Sequence, residues 1–227
     1  GLARATPSGT SIIMGGRIID TNGRHGIHSF TLSNGHIIRA DCLAVSGGWN
    51  PNIHLTCHQG SRPVWRNEIS AFTPGNNLPI GMTVAGAANG SLGLTATLIE
   101  GGKAANKATK DLGFSESSYT PPTTEEEDVE VSAFWYVKES RKRSWLDLQN
   151  DVTVKDVHLA CQEGFNSVEH LKRYTTLGMA TDQGKMANVP ALAVLAECTN
   201  KSIADTGTTV FRPPYTPISI GAFAGRS

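Results

Sequence analysis

The 227-residue chain has no C-x-x-C pair, no apolar run approaching a membrane span of about 18 residues, and no surplus of charge, with 20 basic against 20 acidic residues. The first absence argues against a zinc ribbon or a disulfide framework. Cys42, Cys57, Cys161 and Cys198 stand singly and are expected as reduced thiols. His54-x-x-Cys57-His58 is the nearest approach to a ligand cluster, and no second group follows it, so no metal is expected. The balanced charge excludes a partner held mainly by electrostatics. The local run Arg141-Lys142-Arg143 does not make a nucleic-acid surface, because the whole chain is neutral. Membrane association is not expected either. The N-terminus, Gly-Leu-Ala-Arg-Ala-Thr-Pro, lacks the basic-then-apolar shape of a secretory signal, so the expected location is the cytoplasm. Its first residue, Gly rather than Met, suggests a processed product or an excised piece. G-x-S-x-G, H-E-x-x-H and G-x-G-x-x-G are all absent, which removes the hydrolase, zincin and first dinucleotide-turn signatures.

What is present is ordinary globular material: 39% apolar and 18% charged residues, enough to bury a core. From Thr10 to Val45, short β-type runs alternate with glycine turns and predict two hairpins. Asn34-Gly35 suits a tight primed turn, pairing Phe30–Leu32 against Ile37–Arg39. Asp41-Cys42-Leu43-Ala44-Val45-Ser46-Gly47-Gly48 predicts a buried strand, and Asn50 to Asn77 a loop with at most short strands. A second buried strand is expected over Ile80–Ala85, running into Gly86-Ala87-Ala88-Asn89-Gly90 and a helix from about Ser91 to Ala105. Strand, glycine turn and helix together make a nucleotide-binding geometry. Pro121-Pro122-Thr123-Thr124 and the acidic run after it mark a linker.

Beyond that linker the pattern is helical. Thr153 and Ser167 are placed to cap helices over Val154–Gln162 and Val168–Tyr174, and Gly164 ends the first. Asn188–Cys198 carries Pro190 in its first turn. Phe211-Arg212-Pro213-Pro214-Tyr215-Thr216-Pro217 reads as a stiff extended connector. The fold class is therefore α/β, a partial dinucleotide-binding domain with β-hairpins, followed by a small helical domain. The expected divisions are 1–112, a linker at 113–140, the helical domain at 141–210 and a connector at 211–227. Histidines at 25, 28, 36, 158 and 170 and the four tryptophans read as surface, packing or interface residues, since no nucleophile motif accompanies them.

Two stretches, Ala40-Asp41 through Pro51-Asn52 and Val84-Ala85-Gly86-Ala87-Ala88-Asn89-Gly90 with Glu100-Gly101-Gly102-Lys103, resemble the C-terminal half of the dinucleotide module of flavoprotein disulfide-reductase-like enzymes. Leu148–Val157, Glu169–Lys185 and Phe211–Pro217 closely resemble the α subunit of heterotetrameric sarcosine oxidase, and the likeness covers nearly the whole chain. It implies the central piece of a longer subunit, preceding a folate-binding domain that takes tetrahydrofolate, with β, γ and δ partners.

Ala87 stands where flavin-binding relatives hold an Asp that bonds the ribityl chain, and a methyl group cannot accept that bond. The resemblance thus implies NAD in this module through Gly47, Gly86, Ala87 and Asn89, with FMN at the α–β interface and FAD in the β subunit. Thr175, Thr176, Thr181, Gln183 and Lys185 are the candidates for the α side of the FMN site; they also suit a plain helix end and surface turn. In related amine dehydrogenase subunits the helical unit binds an iron–sulfur cluster, but the four ligand positions align with Asp147, Gln149, Gln183 and Met186, so no cluster is expected. No catalytic residue is assigned to this chain. Hydride removal from the N-methyl carbon is expected at a flavin in the partner. A pure assembly module, and a subunit of a related opine-, proline- or glycine-oxidising dehydrogenase, are the alternatives.

Overall fold

The computed structural model describes residues 9–122, 124–125 and 131–225; most of the acidic run lies outside the described residues. The chain forms two compact units. The first takes residues up to Gly47 together with Tyr136–Ser144, and the second takes Gly48–Trp135 with Trp145 onward.

In the first unit, strands β1 (Ile18–Asn22), β2 (Ser29–Leu32) and β3 (Ile37–Arg39) make an antiparallel sheet in the order β1-β2-β3. Gly35 takes a positive φ of 84° in the Asn34-Gly35 turn and donates to the Leu32 carbonyl at 2.9 Å. The hairpin forms as expected but not through a two-residue primed turn: Asn34 lacks the positive φ, Leu32 closes on His36 around a three-residue loop with Gly35 last, and Phe30 pairs with Ile38 and Ser29 with Arg39, one residue away from the expected register. Tyr136–Ser144 is tied to the sheet by charge: Lys142 meets Asp20 at 2.7 Å and Arg17 meets Glu139 at 2.7 Å. The basic run is therefore partly engaged with carboxylates of its own unit. No strand forms over Asp41–Gly48, and Val45 is 81% exposed. A doubly buried strand needs neighbours on both edges, and no described strand pairs with this segment.

The second unit opens with a short helix α1 (His54–Cys57) and the hairpin β4 (Val64–Arg66)–β5 (Ala71–Thr73), joined by a single 3-10 turn at Asn67–Ile69. The expected strand over Ile80–Ala85 is also missing, for the same want of sheet partners, and Ile80 is fully exposed. The glycine turn at Gly86–Asn89 does form, as one 3-10 turn, and leads into α2 (Leu94–Asp111). This helix runs six residues beyond the expected end because Asn106–Asp111 contains no breaker before Gly113. It carries no buried residue.

Ile53, Cys57, Ala71 and Phe72 are buried in this first part, and the larger share of the core lies beyond β6 (Trp145–Asp147), which pairs with β7 (Val152–Thr153). Helix α3 (Val154–Gln162) starts at Thr153, whose N–H and hydroxyl both donate to the Asp156 carboxylate at 2.7 Å. Helix α4 (Val168–Thr175) starts at Ser167, whose hydroxyl accepts from the His170 N–H at 3.3 Å. Helix α5 (Asn188–Thr199) is apolar on all sides and buries Ala191–Ala196 without interruption, as a central helix must. α3 packs on both α4 and α5, with Val157, Leu171, Leu192 and Leu195 closed off from solvent. Two short helices, α6 (Ile203–Thr206) and α7 (Ile220–Phe223), follow.

Candidate functional site

Phe211–Tyr215, expected as an extended connector, forms a strap that packs back within the second unit. Phe211 is buried against the imidazole of His54, their ring centroids 3.7 Å apart, and the Tyr215 ring stands edge-on to His54 at 6.0 Å. The Asn52 Oδ1 lies 3.0 Å from the His54 Nδ1, and the Asn52 Nδ2 donates to the Tyr215 hydroxyl. Because Oδ1 can only accept, Nδ1 carries the proton and Nε2 is left as an acceptor. That Nε2 is buried with no partner among the described residues. Burial, reinforced by the Lys185 and His58 charges, pushes His54 down to about 4, so the ring is neutral at physiological pH.

The turn between α4 and α5 holds the strap from the other side. Gln183 donates to the carbonyls of Arg212 at 2.8 Å and Pro214 at 3.0 Å, and accepts the Arg212 N–H at 3.0 Å. Lys185 donates to the Tyr215 carbonyl at 2.8 Å and sits 4.2 Å above that residue's ring. Thr175 donates back to Leu171 at 2.7 Å and accepts from Leu177, while Thr176, at positive φ, donates to the Thr175 carbonyl. Thr181 reaches Gln149 at 3.2 Å. Of the five polar residues expected to face a phosphate, Gln183 and Lys185 thus hold the strap. Thr176 and Thr181 remain exposed.

Asp147 lies beside this turn, almost fully buried. Its carboxylate accepts the backbone N–H groups of Gln149 at 2.9 Å, Asn150 at 3.1 Å and Gly178 at 2.9 Å. A short loop and a distant turn are thereby joined through one anion. Of the other three residues aligned with lost cluster ligands, Gln149 meets Thr181, Gln183 meets the strap and Met186 is exposed.

The glycine turn is likewise filled from within. Glu100 on α2 accepts from the Gly86 N–H at 2.9 Å, the Asn89 amide at 3.4 Å and the Ser91 hydroxyl. Burial opposes its charge, but these donors outweigh that penalty and hold the carboxyl below the usual glutamate range. Gly86 has a positive φ of 65°, and a Cβ there would meet Thr97 at 2.8 Å, so the turn requires glycine. Ala87 faces solvent. Gly47 lies in the first unit and is exposed.

Residues 141–226 match the sarcosine oxidase A3 domain, which contains the α3–α5 core, the polar turn and the strap. Across 217 residues the chain is 41% identical to the sarcosine oxidase α subunit of Rhizobium meliloti, covering 92% of this chain and 22% of that protein. The chain matches part of a sarcosine oxidase α subunit.

It is also 32% identical to the sarcosine oxidase α subunit of Corynebacterium sp. strain P-1, covering 99% of this chain and 25% of that protein. The chain therefore spans about a quarter or less of the length of these α subunits. An opine oxidase subunit of Rhizobium meliloti is 25% identical over 83% of this chain and 45% of its own length. L-proline dehydrogenase from P. horikoshii shares the fold, with a TM-score of 0.71 at 20% identity over 91% of this chain and 44% of that one.

The sequence did not reveal the pairing of His54 with the strap or the insertion of Glu100 into the glycine turn. The first had a signal in His54-x-x-Cys57-His58 and Phe211-x-x-x-Tyr215, two aromatic-bearing segments far apart. The second had none short of the fold, because Glu100 reads as one more charge on an exposed helix.

Proposed function

We propose that the chain is the central part of an α subunit in a sarcosine oxidase-like complex with β, γ and δ partners, an oxidoreductase acting on the CH–NH bond of a secondary amine. The single observation that carries this reading is the match of the A3 domain within a chain-length likeness to sarcosine oxidase α subunits. A flavin in the partner supplies the hydride acceptor when bound. FAD belongs to the β subunit in this reading, and tetrahydrofolate to another part of the α subunit.

The residues fit two supporting roles. An FMN held against a partner would meet the exposed hydroxyls of Thr176 and Thr181, while Gln183 and Lys185 position the strap beside it. At the glycine turn, Glu100 occupies the donors that a phosphate would need, yet a carboxylate with lone pairs to spare accepts sugar hydroxyls. The turn fits a ribose of NAD beside Ala87 better than its pyrophosphate. Turnover is not expected of this chain alone.

The test uses the chain as bait in lysate of its source organism. Retained protein whose visible flavin absorption survives acid precipitation supports the reading; partners retained without any flavin favour the assembly module. The specific observation behind that second reading is that Glu100 fills the glycine turn and the strap backbone engages Gln183 and Lys185 of the polar turn. Amine-dependent oxygen uptake by the purified chain would overturn the supporting role. Opine and proline substrates differ only at the partner and are separated by assaying the captured complex with each amine.

A further inference from the structure

The His54 imidazole is only 4% exposed and is held on three sides: Phe211 lies against one face, Tyr215 stands edge-on, and Nδ1 is bonded to Asn52. Its Nε2 is buried with no partner among the described residues. A buried polar atom without a bond is costly, so each such atom calls for an occupant beside it. The ring also forms part of the wall of a cavity of about 10 Å³, together with Lys185, Asn188, Val189 and Thr208. His58 Nε2 and Ser61 Oγ are buried and unpartnered as well, but neither residue lines this cavity. With Nδ1 committed to Asn52, Nε2 is the polar atom that the His54 ring has left to present there.

The wall decides what the cavity can take. An unprotonated ring nitrogen offers a lone pair, so it repels an anion and calls for a donor. The Lys185 ammonium repels a cation; it gives one N–H to the Tyr215 carbonyl and keeps two. Asn188 donates to the Gln183 carbonyl and the Thr209 hydroxyl, and Thr208 donates to the Thr209 carbonyl, so both leave only oxygens for an occupant. A volume of about 10 Å³ is the least that admits a single water. We propose that this cavity is the binding site of one buried water, which donates to His54 Nε2 and accepts from the Lys185 ammonium. The water ties the imidazole beneath the strap to the turn between α4 and α5, whose Lys185 also holds Tyr215. No flavin, nucleotide or amine takes part, so the site is independent of the proposed function.

The first test is a high-resolution crystal structure of the full chain. The expected result is one density peak within hydrogen-bond distance of both His54 Nε2 and Lys185 Nζ, without anomalous signal. A dry cavity, a metal ion or an anion there, or a water bonded to only one of the two groups would overturn the proposal. The second test is a double-mutant cycle read by melting temperature. V189I adds a methylene to the cavity wall; by expelling the water it strands Nε2 and should lower Tm by about 2–4 °C. In H54F, which has no Nε2, the same substitution should leave Tm unchanged or raise it, because it then fills an apolar void. An equal loss in both backgrounds would reveal overpacking alone, and no loss in the parent background would reveal a dry cavity; either result rejects the water.

Discussion

The side-chain amide of Gln183 pairs with the backbone of Arg212 in both directions, donating to its carbonyl at 2.8 Å and accepting its N–H at 3.0 Å, as a neighbouring strand would. Removing it in Q183A leaves those backbone groups with water alone and should loosen the strap at a cost of about 1–3 kcal/mol. Hydrogen exchange at residues 211–215 should rise while exchange in α5 stays unchanged. Equal acceleration in both segments would show that the strap does not open separately.

His54 links strap stability to pH. Its value in the folded chain, about 4, lies below the ordinary 6.5 because burial and the Lys185 charge oppose the cation. Between those values the unfolded chain binds a proton that the folded chain refuses, so stability falls as pH drops from 6.5 toward 4 and levels off below. Urea midpoints at about pH 7 and about pH 4.5 should diverge in the native chain more than in H54F, which keeps a ring against Phe211 without the titrating nitrogen. An unchanged pH dependence in H54F would exclude His54 as its source.

Asp147 to alanine should be among the costliest changes in the helical core, at about 3 kcal/mol, since it strips an anion from three backbone donors. D147N keeps one acceptor oxygen but turns an amide donor toward N–H groups, and should recover only part of the loss. Chemical denaturation of the two variants beside the parent checks the order.

Gly184 and Gly164 separate two causes of glycine dependence. Both have positive φ, 74° and 91°, but a Cβ at 184 would lie 2.1 Å from the Asn188 Oδ1, while a Cβ at 164 meets nothing within 4 Å. G164A should cost about 1 kcal/mol. G184A should cost more, about 3 kcal/mol, and should displace the Asn188 side chain from Thr209. Equal melting temperatures for the two variants would refute that ordering.

Where the signals were local, the sequence was legible. Thr153 with Asp156, Ser167, Gly164 and Pro190 mark helix ends by chemistry that acts within four residues, and α3, α4 and α5 begin where those marks stand. Asn34-Gly35 marked the reversal between β2 and β3 for the same reason, though the loop took three residues and moved the register by one. The strands expected at Asp41–Gly48 and Ile80–Ala85 depend on edges supplied by other strands, which no property of the segments themselves reveals. Gln183 with Arg212, and Gly178 with Asp147, are contacts 29 and 31 residues apart. Residue type showed that the turn is polar; only the fold shows that much of its polarity faces inward.

Glu100 acts on the glycine turn as a built-in competitor. Tethered through α2 to the donors it fills, its carboxylate is a ligand at an effective concentration on the order of millimolar or higher, independent of dilution. A free phosphate reaching the turn must outcompete that resident anion, and its apparent affinity falls in proportion. E100Q keeps the size of the side chain and removes its charge. It converts a turn that is already liganded by its own chain into one where phosphate binding, measured by calorimetry, should be stronger than in the parent.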